Sequence, residues 1–339
     1  MAIIARPGAS TLVPEDYARG ILKNVTEMSA AMSLLERRRM RAKEQRMSIL
    51  TTKPTAGFIL ASTGIGGADS DTGVKPLTVA AWADLKMYAE PVAALVVIPE
   101  DVIEDAGEDL WGEIKPELEE AIAAAIDAAV FFGTGAPSTW PVSINAHAVA
   151  AGNTVALGAG VDLAADLNTA MGLVEADGFY PDGWFYSQRY KATLRGLRDN
   201  NKQFLWSPRG PANTGLQNAG ADDEISRRRR DVSQAGEIWG LEAHTSAMGL
   251  AGFDPTPTTG VMFITGDFTK AILGVRADIR FKMLDQAAVD DGGTVLYLAQ
   301  RDLIGLRVVT RVAYVLTNTA SRMNTNAATR SPFASVRQA

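Results

Sequence analysis

Residues 117–135 read ELEEAIAAAIDAAVFFGTG, and the way this run ends decides the fold. Ala121, Ala124, Ala125, Ala128 and Ala129 supply high helix propensity and permit close approach. Leu118, Ile122, Ile126 and Val130 recur every fourth residue, continuing a stripe begun by Leu110 and Ile114. Each such step advances about 40° around a straight helix, so the stripe winds and suits packing against more than one element. Gly133-Thr134-Gly135 looks like a phosphate-cradling loop. Such loops lie at a helix N-terminus, where N–H groups and the positive dipole end face the anion. Here the glycines come after the helix, at its carbonyl end, so they are expected to cap it. Phe131 and Phe132 then anchor the exit in a core, and the chain turns through Pro137 and Pro141 toward strands.

Upstream, Pro99 followed by Glu100 and Asp101 suits a helix start, giving a helical region at 99–132 that Pro116 should divide or kink. Residues 47–98 read as two extended segments, MSILTTKPTAGFILAS and LTVAAWADLKMYAEPVAALVVI, around the glycine-rich tip TGIGGADSDTGVKP. A tip of that length is commonly functional. Pro54 and Pro91 lack a ladder donor, which places these strands at edges or projecting from the body. Residues 14–46 look helical, with Ile21, Val25, Met28, Met32 and Leu35 at helical spacing before the basic tract ERRRMRAKEQR.

Downstream the pattern alternates. Asp162 caps a helix carrying Leu163, Leu167, Met171 and Val174, which Gly178 closes. GWFYS is a short strand, and Ser187 caps a second helix with Tyr190, Leu194 and Leu197. IWGLEAHTS and VMFIT read as strands, and RADIRFKML alternates as a half-buried antiparallel strand does. Asp290-Asp291-Gly292-Gly293 turns the chain into VLYLAQ, and LIGLRVVTRVAYVL completes a meander. From 318 the chain is polar and rich in small residues, and it is expected to be loosely held.

The chain has 339 residues, 47% apolar and 21% charged, which is ordinary globular composition. The absence of cysteine excludes disulfides, thiolate zinc sites and iron–sulfur clusters. No run approaches the roughly 20 apolar residues of a membrane helix, and the N-terminus lacks the apolar core of a secretory signal. A net charge of −6 argues against a dedicated nucleic-acid binder. The charge is nevertheless divided: residues 1–53 hold ten basic and five acidic side chains, and residues 97–127 hold eleven acidic ones against Lys115 alone. Opposite blocks of this kind attract one another, within a chain or between copies.

Catalytic signatures are absent: there is no P-loop, G-x-G-x-x-G, H-E-x-x-H or G-x-S-x-G. His147 and His244 are far apart in sequence and read as packed or surface residues; the Arg227–Arg230 run reads as a solvated loop or a contact for phosphate or carboxylate. No enzyme activity, catalytic residue, metal or cofactor is expected.

The order of these parts resembles the major capsid protein of tailed bacteriophages, with the Hong Kong 97-type fold. Three phrases carry the likeness: VVIPEDVIEDAGEDLWGEIKPELEEAIAAAIDAAVFFGTG, LAADLNTAMGLVEADGFYPDGWFYSQRYKATLRGLRD, and ITGDFTKAILGVRADIRFKML followed by LYLAQRDLIGLRVVTRVAYVL. They are similar to that family's spine helix, its paired axial helices and its closing strands. The resemblance implies an α+β fold with an N-terminal arm (1–46) and an extended loop (47–95, tip 62–76). It further implies a peripheral domain on the spine helix (96–154), an axial domain (155–275), closing peripheral strands (276–317) and a C-terminal tail (318–339).

It also implies a virion protein, assembled in the bacterial cytoplasm, whose hexamers and pentamers form an icosahedral shell around double-stranded DNA. A portal protein is the implied partner, DNA is enclosed without sequence-specific binding, and no membrane is involved. Decoration proteins are left open. Some relatives begin with a scaffolding region of about a hundred residues; fewer than fifty precede the extended loop here, so a separate scaffolding protein is expected. An encapsulin-like cellular nanocompartment shell of the same fold is the alternative, separated by particle content. Candidate inter-subunit contacts are the basic residues Arg37, Arg38, Arg39 and Arg41, the loop-tip residues Gly66, Gly67 and Lys75, and the acidic helix residues Glu113, Glu117 and Glu120. Lys75 also raises the lysine–asparagine isopeptide bond of some relatives, but no matching asparagine–glutamate pair can be placed.

Overall fold

The computed structural model describes residues 29–56, 77–101, 110–160, 162–196, 234–246, 253, 260–291 and 294–338. Its framework begins with two fourteen-residue strands, β10 (Ala271–Leu284) and β13 (Leu303–Leu316), paired antiparallel. Between them in sequence lies a small antiparallel pair, β11 (Ala288–Asp291) with β12 (Thr294–Tyr297), in which Asp291 is opposite Thr294. Strand β4 (Glu90–Pro99) pairs with the free side of β13, and β1 (Glu36–Arg39) runs parallel to β10, giving a four-stranded sheet of order β1-β10-β13-β4. Pro91 therefore lies on an edge strand, as its missing donor required.

Alternation along β13 separates two faces. Val308, Thr310, Val312 and Tyr314 are buried, whereas Arg307 and Arg311 are exposed. Helix α2 (Leu110–Asp127) packs on the buried face through Leu118, Ile122 and Ile126. It runs through Pro116 without a break, contrary to the expected division. After Asp127 the helix widens into one π-helical turn, Ala128–Phe132. Gly133 ends it at φ +78°, with the N–H groups of Gly133 and Thr134 donating to the carbonyls of Ala129 and Ala128. Gly133-Thr134-Gly135 is thus the helix exit. The next element is a helix rather than a strand: Pro137 and Pro141 lead into Ile144–Ala151 (α3), capped by the Ser143 hydroxyl, which accepts from the Ala146 N–H.

The second sheet contains β5 (Thr154–Ala156), β6 (Gly183–Ser187), β7 (Gln234–Ile238), β8 (Leu241–Ser246), β9 (Val261–Gly266) and β14 (Phe333–Arg337), in the order β5-β14-β9-β6-β8-β7. Helix α4 (Leu163–Ala176) covers it, with Leu167, Ala170 and Val174 packed near Trp184, Tyr186, Phe263 and Val336. Asp162 caps this helix through the Ala165 N–H, and Gly178 comes after it at φ +82°, as the sequence indicated. The short helix α5 (Lys191–Gly196) lies beyond β6. IWGLEAHTS, read as one strand, is instead a hairpin: Trp239 and Gly240 both have positive φ, the geometry of a tight type I′ turn. Trp184 holds Trp239 in place edge-on, 6.2 Å between centroids.

The two sheets share a core. Phe131 stacks on Phe185 of β6 at 3.9 Å between centroids, and Phe132 meets Phe253 edge-on at 4.8 Å. The phenylalanines thus anchor the helix exit against the second sheet as well as the first.

Two further expectations fail. The helical reading of 14–46 holds, among the described residues, only for α1 (Ala30–Leu34); the basic tract supplies β1 and, from Glu44, strand β2 (Glu44–Thr52). The edge of β10 offers ERRR main-chain partners that override the good helix propensity of Glu and Arg, and Met40 inserts into a buried cluster instead of lining a helix. The tail beyond 318 is not loosely held. Strand β14 lies between β5 and β9 with Phe333, Ala334, Ser335 and Val336 buried. Arg330 before it is also buried, donating to the Asn318 side chain and to the Asn318 and Asn324 carbonyls.

Strand β2 pairs antiparallel with β3 (Ala81–Tyr88) in a separate two-stranded ribbon. Its base docks on the sheet through Met87 and Met40, which lie over Gly274; a Cβ there would come within 2.6 Å of both sulfurs. A bulge at Thr51 bends the ribbon, and the Leu50 carbonyl accepts from the Ala320 N–H. The expected extended loop is present as this ribbon, although its tip (62–76), with Gly66, Gly67 and Lys75, lies outside the described residues.

Candidate assembly surfaces

The ribbon is the first candidate surface. An isolated two-stranded hairpin is marginal in water, and this one joins no third strand among the described residues. Leu77 and Val79, just before β3, and Trp82 on it are 95%, 66% and 69% exposed, a concentration of apolar area of the kind found at interaction sites.

The second surface is the acidic helix. Glu117 and Glu120 are exposed on α2, as are Glu100 and Asp101 at the end of β4; Glu113 lies in the first turns of α2. Arg37, Arg38 and Arg39 are exposed on β1 and Arg41 in the turn after it. The structure does not bring these two sets together within one chain: among the described residues no ion pair joins Arg37–Arg41 to Glu117 or Glu120. Arg38 instead donates to the Met47 sulfur at the ribbon base, 2.6 Å away.

A missed residue fixes this geometry. Asp127, on the last turn of α2, is buried and accepts from the Ser29 hydroxyl (2.6 Å) and from the Ala30 (2.9 Å) and Ala31 (3.0 Å) N–H groups. The start of α1 is thereby tied to the end of α2, about 15 Å along the helix axis from Glu117. Burial pushes the Asp127 carboxyl up to about 6, against the pull of its three hydrogen bonds. In sequence it was one acid among eleven. Its only local sign is its place between Ile126 and two alanines, on the stripe rather than the polar face.

The third surface is the open face of the four-stranded sheet, opposite α2. Register places Arg276, Arg311 and Pro91 in one row, Arg280, Val309 and Ala93 in the next, and Lys282, Arg307 and Leu95 in a third. Rows on one face repeat about every 7 Å and strands about every 4.8 Å, so these cations occupy a small area. Arg276 faces Arg311 and Lys282 faces Arg307, like-charge pairs that each cost up to about 1 kcal/mol. None of the four has a carboxylate partner among the described residues. The i, i+4 spacing of Arg307 and Arg311 in LIGLRVVTRVAYVL was the available signal, since period-two alternation alone puts both on one face.

The histidines are packed. His147 Nδ1 lies 2.9 Å from the Ser331 hydroxyl, and burial with Arg330 nearby lowers its pKa, favouring the neutral ring. His244 is buried on β8, its Nδ1 3.3 Å from Ser33 Oγ. Among the described residues no cluster of histidine and carboxylate could hold a metal ion, and no helix is long and apolar enough to cross a membrane. Arg227–Arg230 lie outside the described residues.

Comparison with known proteins gives a consistent result. The family model described as "Phage capsid family" matches residues 9–322. The structure is similar to one from Mycobacterium phage Bobi, with 30% identity and a TM-score of 0.70 over 100% of this chain and 99% of that one. It is also similar to one from Microbacterium phage Oxtober96, with 30% identity and a TM-score of 0.69 over 92% and 91%. A third, from Mycobacterium phage Adephagia, has 27% identity and a TM-score of 0.71 over 100% and 99%. At 14% identity the fold alone is shared with a chain titled "Capsid of empty GTA particle computed with C5 symmetry" (TM-score 0.55; 92% of this chain, 90% of that one). No curated protein matches the chain.

Proposed function

The chain belongs to the phage capsid family, and from that premise we propose that its copies close, as hexamers and pentamers, into an icosahedral shell around packaged double-stranded DNA. The observation that carries this reading is the β2–β3 ribbon. Among the described residues it pairs with no third strand; it leaves Leu77, Val79 and Trp82 exposed although its base and the Leu50 carbonyl are held, so a neighbouring copy is the natural cover. The tip residues Gly66, Gly67 and Lys75 extend that contact. Arg37, Arg38, Arg39 and Arg41 are proposed to meet the acidic helix of a neighbour at Glu113, Glu117 and Glu120, since the two sets are opposite in charge and stand apart within one chain.

On this basis the shell assembles in the bacterial cytoplasm with a portal protein. The acidic helix suits a wall against which DNA must slide rather than stick. Electron microscopy of the purified protein tests the proposal. Uniform icosahedral shells are expected, with nuclease-protected DNA in particles from infected cells. Absence of closed particles overturns it, and shells holding protein cargo instead of DNA favour a nanocompartment.

A further inference from the structure

The ribbon has a second hold besides its base, made by the segment that follows β13. The Ala320 N–H donates to the Leu50 carbonyl at 3.1 Å, and the Arg322 guanidinium donates to the Pro54 carbonyl at 3.4 Å. The bulge at Thr51 lies between those two carbonyls. The segment therefore grips β2 and its continuation on both sides of the point where the ribbon bends.

The two halves of the ribbon differ in their support. On the base side Met87 and Ala89 are buried together with Met40. Beyond the bulge, residues 52–56 and 77–80 are all exposed. That outer half is stitched across by the Thr51 hydroxyl, which donates to the Ala81 carbonyl at 3.0 Å, and by the Thr55 N–H, which donates to the Thr78 hydroxyl at 2.8 Å. Among the described residues, its one hydrogen bond to the rest of the chain comes from Arg322.

The gripping segment is itself firmly mounted. Thr317 gives both its N–H and its hydroxyl to the Lys270 carbonyl, at 2.7 Å each. Ser321 is buried where the chain passes Gly178, and the Asn324 amide donates to Asp177, at the end of α4, at 2.6 Å. Asp177 also accepts from the Ser331 N–H, just before β14. The base of the ribbon thus belongs to the four-stranded sheet, whereas the grip across its bend belongs to the second sheet.

We propose that residues 317–324 are a strap that fixes the bend of the ribbon at Thr51, with Arg322 as the positioning residue, so that Leu77 and Val79 are aimed at a neighbouring copy. The inference rests on the shell reading and names what orients the contact that carries it. An outer half left free would have to be ordered at every contact, and that ordering opposes association. Held by the strap, it is presented already oriented.

The chain has no cysteine, so spin labels can be attached at chosen positions of the full-length protein. One label goes on Val149→Cys, exposed on α3, which is tied to β14 through Asn145 and Arg337. The other goes on Val79→Cys, beyond the bulge, or on Lys86→Cys, exposed on the base side. Pulsed electron paramagnetic resonance of dissociated chains reads both distances. Adding Arg322→Ala is expected to broaden the 79–149 distance distribution about twofold, since a segment with few other ties then samples more orientations. The 86–149 distribution should not change. Arg322→Lys, which keeps a donor, is expected to narrow the first distribution again. In unlabelled protein, Arg322→Ala is expected to lower the yield of uniform shells about threefold or more, because the lost bond recurs in every copy. The melting temperature of the dissociated chain should stay unchanged, and Arg322→Lys should restore the yield. A 79–149 distribution unaffected by Arg322→Ala overturns the proposal, as does a wild-type yield of uniform shells from that variant. The spin-label result is read on chains outside any particle, so it is distinct from failure of the shell reading, in which wild-type chains form no shells.

Discussion

Replacing Asp127 with asparagine isolates the tie between α1 and α2. The carboxylate serves three donors, the Ser29 hydroxyl on one oxygen with the Ala31 N–H, and the Ala30 N–H on the other. Asparagine keeps one oxygen and turns its amide toward a backbone donor, so one charge-assisted hydrogen bond is lost and one buried N–H is left unmet. Together these cost about 2.5–6 kcal/mol. At neutral pH the substitution also removes the penalty of holding a buried charge. With the carboxyl raised from 3.8 to about 6, that penalty is about 3 kcal/mol.

The variant should therefore be only about 0–3 kcal/mol less stable at pH 7. The sign of the pH dependence comes from the raised pKa. The folded state binds the proton more tightly than the unfolded chain, so this contribution is fully present below about 4 and is lost as pH rises through about 6. Wild type should gain on Asp127→Asn by about 2.4 kcal/mol between pH 7 and pH 4. Urea denaturation of both proteins at equal chain concentration across that range measures the gap. A gap that stays constant or narrows on acidification refutes the reasoning. Hydrogen exchange at Ala30 and Ala31 gives the local counterpart, with protection falling in the variant.

Reversal of Arg37, Arg38, Arg39 and Arg41 to glutamate is expected to impair shell assembly while leaving the melting temperature of the dissociated chain nearly unchanged; wild-type shell yield would remove the segment from the interface. Phe131→Ala removes a ring stacked on Phe185 and opens a cavity where the two sheets meet, at a cost of about 3–5 kcal/mol by urea denaturation. Ending the chain after Ser331 removes β14 and leaves β5 and β9 without their common partner; insoluble or unfolded product is expected by circular dichroism.

The sequence disclosed what local chemistry controls. Helix α2 was readable because its apolar stripe and the glycine that ends it lie within a few turns. The ribbon was readable from two extended runs around a glycine-rich tip, and β4 from a proline that admits only an edge. Strand β1 was not, because Glu36–Arg39 becomes a strand only by pairing with Ile272–Val275, more than two hundred residues later. Strand β14 was hidden for the same reason: FASVR is too short to announce itself, and its burial comes from neighbours at 154–156 and 261–266.

The surfaces divide likewise. Acidic and basic blocks show in the residue order. That Asp127 turns inward while Arg307 and Arg311 share an open face depends on packing and register.

The placement of β14 also bears on timing. Strands β5 and β9 flank it, and both leave the ribosome well before Phe333–Arg337 does. The second sheet therefore cannot close until Phe333–Arg337 has been made. Because Phe131 and Phe185 join that sheet to α2 and the four-stranded sheet, their shared core gains its final form no earlier. A chain that still lacks β14 is thus a poor partner for finished ones. For a protein needed in many identical copies, this order of synthesis keeps half-made subunits out of the growing lattice.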